Sequence, residues 1–303
     1  MNILIIINPA SGRGNSLDIY YQNFNKISSN YNITEFISRY PKHVDDYFKN
    51  NYETLKDFNI IVGMGGDGIM FEILNNIKKF NLEIYLAEIP TGSGNGYFKS
   101  LTCSNNKEPT IEEAINIINK YNIIDVDLLE IKNLNIYCRL AISWGIISNI
   151  DIDTEWMRCL GKYRFDIGGV WNVITCPSYN GILLYVKDNV TNIIEGNFCF
   201  VWAGNNSHAS TDTHSFPGAR INDGKICISY VMDDVTRYEM FWILLGLNDG
   251  SYINHPKVHY IYVDNFELKI KDGKIVVDGE FIKEKEIKVT NKQKELKILG
   301  YKY

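Results

Sequence analysis

The chain has 303 residues and a formal net charge of −5, with 45% hydrophobic and 13% aromatic residues. Those apolar side chains suffice for packed cores in two domains of ordinary size, and the acidic balance excludes a broad basic surface for nucleic acid. Cys103, Cys138, Cys159, Cys176, Cys199 and Cys227 are scattered without C-x-x-C spacing. This argues against a zinc site or a disulfide framework and for a reducing, cytoplasmic setting. The apolar run Ile3–Ile7 is too short for a signal peptide and lacks a basic lead, and Met240–Leu247 is too short to cross a bilayer.

In chain order, Ile3–Ile7 reads as a strand, Ser11-Gly12-Arg13-Gly14 as a glycine turn, and the polar stretch after it as a helix. The pattern recurs twice. Phe58–Val62 leads into Gly65-Gly66-Asp67-Gly68 and the amphipathic stretch Ile69–Phe80, and Ile84–Ile89 leads into Pro90-Thr91-Gly92-Ser93-Gly94-Asn95 and Gly96–Leu101. Strands alternating with helices predict an α/β fold with a Rossmann-like parallel sheet, whose turns all open on one crevice beyond the carboxyl ends of the strands. Lys107-Glu108-Pro109-Thr110 followed by Ile111–Tyr121 predicts a capped helix that closes a first, nucleotide-binding domain of residues 1–121. Beyond it, Asp125–Ile131, Ile136–Ile142, Gly181–Val186 and Phe198–Trp202 read as strands of a mostly antiparallel β-sandwich domain over 122–303. Asp223-Gly224 and Asp272-Gly273 are hairpin-like turns within it. The tail Glu295–Gly300 reads as a last strand open to either domain, so that 290–303 is free to pack back on the first.

A strand that turns into a helix through glycine offers unpaired backbone N–H groups that a phosphate can approach closely. Asn8, Ser11 and Arg13 in the first turn, and Thr91, Ser93 and Asn95 in the third, add side-chain donors. Each such contact contributes only ~0.3–1 kcal/mol when exposed, so several must act together. No lysine closes these turns as in a G-x-x-x-x-G-K-[ST] loop. Asp67 is the unexpected residue, because a carboxylate repels phosphate. Its presence points to a magnesium ion or to the proton of an attacking hydroxyl, and therefore to phosphoryl transfer. His208, Asp212 and His214 lie in a Ser/Thr/Gly-rich stretch and read as a loop, not a metal site.

Asn8-Pro9 with Ser11–Gly14, Gly65–Gly68 continuing into Glu72 and Asn75, and Pro90–Asn95 together resemble the catalytic-domain signature of diacylglycerol and sphingosine kinases. The likeness continues through Trp144-Gly145, residues 151–165, Ala219–Gly224 and Asp278-Gly279-Glu280, so it covers nearly the whole chain. Within that family Ser143–Asp151 and Arg158–Phe165 are most similar to sphingosine kinases. The resemblance implies ATP and Mg2+ as cofactors and Asp67 as general base. It implies nucleotide contacts from the glycine turns (Gly65, Gly66, Gly68, Gly92, Gly94), from Arg158 and Arg164, and from Asp278, Gly279 and Glu280, with Asp278 reaching magnesium through ATP. It also implies that Asp151 recognises the amino-alcohol head of a sphingoid base. A protonated amine gains a charge-assisted bond from such a carboxylate, worth ~1.5–3 kcal/mol, which a neutral amide or ester does not.

Phe165, Ile167, Val170, Trp171, Val173 and Ile174 are candidates for the lipid-tail pocket, with Phe165 and Trp171 foremost. The expected substrate is a sphingoid base or another lipid alcohol. Transient contact with a membrane surface is expected, no nucleic acid partner is, and a homodimer is left open. The rival readings are a diacylglycerol or ceramide kinase with the same machinery, an NAD kinase sharing the G-G-D-G turn, and a non-catalytic lipid- or nucleotide-binding relative.

Overall fold

Ile3–Ile7 are all fully buried in strand β1 (Asn2–Ile7). An uninterrupted aliphatic run is what a parallel strand needs when helices cover both faces of its sheet. The computed structural model describes residues 1–103, 107–154, 156–157 and 163–301. The chain divides into two compact units, Met1–Val126 with Lys294–Tyr303, and Asp127–Gln293.

In the first unit β1 is followed by α1 (Ser16–Asn23), β2 (Asn32–Ile37), α2 (His43–Asn50), α3 (Tyr52–Leu55), β3 (Ile60–Gly65), α4 (Asp67–Lys79), β4 (Tyr85–Pro90), α5 (Gly96–Cys103) and α6 (Ile111–Lys120). Then β5 (Ile123–Ile131) runs on into the second unit. The sheet order is β4-β3-β1-β2, all parallel, and the end of the last strand joins the β4 edge with Ile298 opposite Leu86. From β1 the chain goes to one side for β2 and to the other for β3. That is a topological switch point, where open α/β sheets gather their ligands. Helix α4 buries Ile69, Met70, Ile73, Leu74 and Ile77, the spacing of one helical face. Helix α6 starts as its sequence requires, with the Thr110 side chain accepting from the Glu113 N–H at 3.1 Å.

The second unit contains β6 (Ile136–Cys138), β7 (Ile142–Gly145), α7 (Ile146–Ile152), α8 (Tyr163–Thr175), β8 (Tyr179–Lys187), β9 (Val190–Gly204), β10 (Ile226–Met232), α9 (Arg237–Leu245), β11 (Val258–Val263), β12 (Asn265–Ile270), β13 (Ile275–Val277), β14 (Glu280–Ile282) and most of β15 (Glu286–Leu299). Its strands pair antiparallel in the order β14-β13-β7-β9-β8-β12-β15, with β10 bridging β9 and β11. Strand β9 serves two partners in turn. Its first half alternates exposed and half-buried residues along β8, whereas Phe198–Gly204 is buried throughout, between β7 and β10. Trp144 is fully buried against Phe198 and Tyr179, and its indole N–H donates to the Asp272 carbonyl at 2.9 Å.

The sequence predicts one strand over Ile136–Ile142, but the structure breaks it. The backbone N–H groups of Arg139, Leu140 and Ala141 leave the ladder and donate to the Asp278 carboxylate at 2.9–3.0 Å, and the Cys138 thiol lies 2.9 Å from the same group. Asp278 and Gly279, with φ of +50° and +86°, are the two turn residues of the β13–β14 hairpin. Only 2% of Asp278 is exposed. Burial first, and then this neighbouring carboxylate, push the Cys138 thiol well above its usual pKa. Asp278→Ala leaves three backbone donors without their acceptor and is expected to lower unfolding stability by about 2–3 kcal/mol. A urea titration following tryptophan fluorescence checks this, and an unchanged midpoint contradicts the anchoring role.

Candidate functional site

The register of the first sheet brings three strand ends level, with Ile7 opposite Met64 and Gly65 opposite Pro90. The Asn8 N–H continues the β1–β3 ladder to the Met64 carbonyl at 2.9 Å. The Gly65 carbonyl accepts from both Thr91 (3.0 Å) and Gly92 (2.9 Å), which pins the third turn onto the second. At this junction the two chains pass so closely that a Cβ on Gly92 would sit 2.3 Å from the Gly66 Cα. The Ser16 and Thr91 hydroxyls, 2.6 Å apart, tie the first turn of α1 to the same place. All three glycine turns therefore converge, as the sequence pattern predicts.

Asp67 is the first residue of α4 and half-buried, with its Oδ2 3.0 Å from where a Cβ on Gly94 would lie. The carboxylate thus reaches across the second turn to the third. Asn95, at φ +50°, donates through Nδ2 to the Gly92 carbonyl at 2.7 Å, and its buried Oδ1 has no hydrogen-bond partner among the described residues. The helices α4 and α5 begin at these turns, while Ser93, Arg13 and Gly14 are exposed and Ser11 is half-buried. Close-passing glycines, helix N-termini and an unsatisfied amide oxygen beside a carboxylate fit a nucleotide's phosphates and their counter-ion. Two expected contacts have other uses. Thr91 is buried and bonded to Ser16, and the Asn8 Oδ1 accepts from the Ala10 N–H at 3.1 Å. Both residues shape the turns from within, and Ser16 gave no sequence signal because its partner is 75 residues away.

The second unit holds a cavity of about 350 Å³, within the roughly 300–1,000 Å³ range of small-molecule sites. Its polar side chains include Asp151, Asp166 and Ser143. The rest of the wall is largely apolar, with Phe165, Val170 and Val173 from α8, Phe241, Leu244 and Leu245 from α9, and Ile147 and Trp202 beyond them. Asp151, at the end of α7, receives the Arg164 guanidinium on its carboxylate at 3.4 Å and on its carbonyl at 3.3 Å. Arg164 is nearly buried and lies 4.3 Å over the Phe165 ring. A buried guanidinium needs a carboxylate partner, and this pairing fixes the orientation of Asp151.

The resemblance assigns Asp151 to the lipid and Arg164 to the nucleotide, yet the two side chains meet. Gly279 also lines the cavity, close to Asp151, whereas Glu280 is exposed on β14. Both oxygens of Asp278 are engaged by the 138–141 segment, a different use from the magnesium contact expected of it. Arg158 lies outside the described residues. Trp171 is 65% exposed on α8 and, like Ile167 and Ile174, is not among the residues that line this cavity, whereas Phe165, Val170 and Val173 are. Helix α9 was missed as a wall. Its apolar run was visible, but a run of that kind does not say what it faces.

The diacylglycerol kinase catalytic domain family matches residues 2–131, and the YegS C-terminal NAD kinase beta sandwich-like domain family matches residues 142–300. Sphingosine kinase 1 of Caenorhabditis elegans is 24% identical over 99% of this chain and 81% of its own length. Sphingosine kinase 1 of Homo sapiens is 23% identical over 92% of this chain and 86% of its own. A crystal structure of a diacylglycerol kinase from Bacillus anthracis has the same fold, with a TM-score of 0.70 at 16% identity, covering 99% of this chain and 97% of that one. With both domain families matched in succession and such relatives aligned along nearly its full length, the chain belongs to the diacylglycerol kinase and sphingosine kinase family of lipid kinases.

Proposed function

We propose that this lipid kinase transfers the γ-phosphoryl group of ATP to the primary hydroxyl of a sphingoid base. The observation that carries the reading is an apolar cavity with an oriented carboxylate, Asp151, in its wall. An alkyl chain in that cavity gains ~0.8 kcal/mol for each buried CH2, which supplies affinity without selectivity. The carboxylate supplies selectivity, because a protonated amine gains from it what an ester or amide cannot. The names of the sequence relatives favour the same substrate class.

In this mechanism Asp67 accepts the proton of the substrate hydroxyl as that oxygen attacks. The glycine turns and the first turns of α4 and α5 direct N–H groups at the phosphates and hold the donor in line. Magnesium bound with the nucleotide would neutralise charge on the transferring group, with the Asn95 Oδ1 as an oxygen available to hold it.

A lipid substrate has to be collected from a bilayer, and we place the contact on α8 and α9. Tyr163, Ile167, Val170, Trp171 and Ile174 are exposed on one side of α8, and Tyr238, Phe241, Trp242 and Leu245 on one side of α9. Val170, Phe241 and Leu245 belong at once to this surface and to the cavity wall, so the apolar face is continuous with the lipid site. Among the described residues no helix is long and apolar enough to cross a membrane. Contact of this kind is therefore interfacial.

Asp67→Asn is expected to cut kcat by ~10²–10⁴-fold with the fold intact, measured by transfer of labelled phosphate from ATP to sphingosine; full activity in that variant excludes Asp67 as the base. Asp151→Ala should lower kcat/KM about tenfold for sphingosine and dihydrosphingosine but not for diacylglycerol or ceramide. Equal losses across the panel would favour a kinase of neutral lipids. The double substitution Trp171→Ser with Trp242→Ser should release the protein from phosphatidylcholine vesicles in a sedimentation assay, and retained binding would move the membrane contact elsewhere.

A further inference from the structure

The cavity wall has more negative charge than the Asp151–Arg164 pair accounts for. Asp166 lines the same cavity, one residue beyond Phe165 on α8, and among the described residues it has neither an ion-pair nor a hydrogen-bond partner. Asp151 shares its charge with Arg164, and Asp278 is turned to backbone N–H groups. Of the wall's carboxylates, one is thus balanced by a guanidinium, one is held by peptide N–H groups, and one, Asp166, has no partner among the described residues.

We propose that Asp166 is a specificity-determining residue, the carboxylate that holds the single positive charge of the substrate's ammonium group, while Asp151 serves as an oriented hydrogen-bond acceptor. The inference rests on the lipid-kinase reading and names the side chain that sets its preference for an amine. Its physical basis is charge balance. A cation entering beside Asp151 meets a carboxylate whose charge is shared with Arg164, so the hydrogen bond remains while the net attraction is reduced. Asp166 adds a carboxylate whose charge no described residue pairs, and an ammonium group entering the cavity meets it. Asp166 lies in the first turn of α8, near the positive end of the helix dipole, a position that favours a carboxylate. Asp166 is exposed, so its effect is screened by salt and is measured in single multiples, not powers of ten.

The experiment compares wild type with Asp166→Asn on sphinganine and on its neutral N-acetyl derivative. The expected result is an increase of about threefold to fivefold in KM for sphinganine at low salt, shrinking as salt is added, so that selectivity for the amine falls by the same factor. Equilibrium binding of octadecylamine and octadecanol without nucleotide, followed by tryptophan fluorescence, reads the same preference independently of catalysis. If wild type phosphorylates neither lipid yet binds octadecylamine better than octadecanol, and the preference falls in the variant, the kinase reading fails and the role of Asp166 stands. Asp166→Asn that leaves both the KM ratio and the amine-over-alcohol binding preference at wild-type values overturns the proposal.

Discussion

The close passage of Gly66 and Gly92 holds the three glycine turns of the first unit together. A side chain at either position would separate the second and third turns. The two hydrogen bonds to the Gly65 carbonyl would then be lost, together with the approach of Asp67 to Gly94. These contacts exist because β1, β3 and β4 end at one level, which follows from their parallel register. Starting α4 at Asp67 fixes the direction of the one carboxylate among these turns.

The second unit uses carboxylates in three ways. Asp278 is buried and held by peptide N–H groups, and it shapes the backbone between β6 and β7 that forms part of the cavity wall. Asp151 is ion-paired and oriented, and Asp166 lines the cavity with no cation paired to it among the described residues. Burial separates these roles. The deepest acid is the one whose lone pairs the protein itself must satisfy, and the shallower ones remain available to a ligand.

Much of the architecture could be read locally. The aliphatic runs Ile3–Ile7 and Ile60–Val62, each followed by glycine, carry the parallel sheet because burial on both faces demands unbroken apolar sequence. Thr110 and Glu113 carry the start of α6 because a cap is made within one turn. The run Ile136–Ile142 misled, since its alternation says strand while Asp278, far along the chain, withdraws its N–H groups from the ladder. Trp171 misled in the same way. Its neighbours on α8 line the cavity, and the helical rotation of 100° per residue that places Val170 and Val173 there turns Trp171 outward.

Contiguous residues specify the α/β class, the three converging glycine turns with Asp67 among them, and the family likeness, because a short motif of fixed spacing has one favourable geometry. Folding is what brings Arg164 to Asp151, bonds Thr91 to Ser16, adds α9 to the apolar cavity, and puts Asp166 in its wall. Those facts concern pairs of side chains brought together by folding, and no local pattern of hydrophobicity or turn chemistry encodes which distant side chains will share a wall.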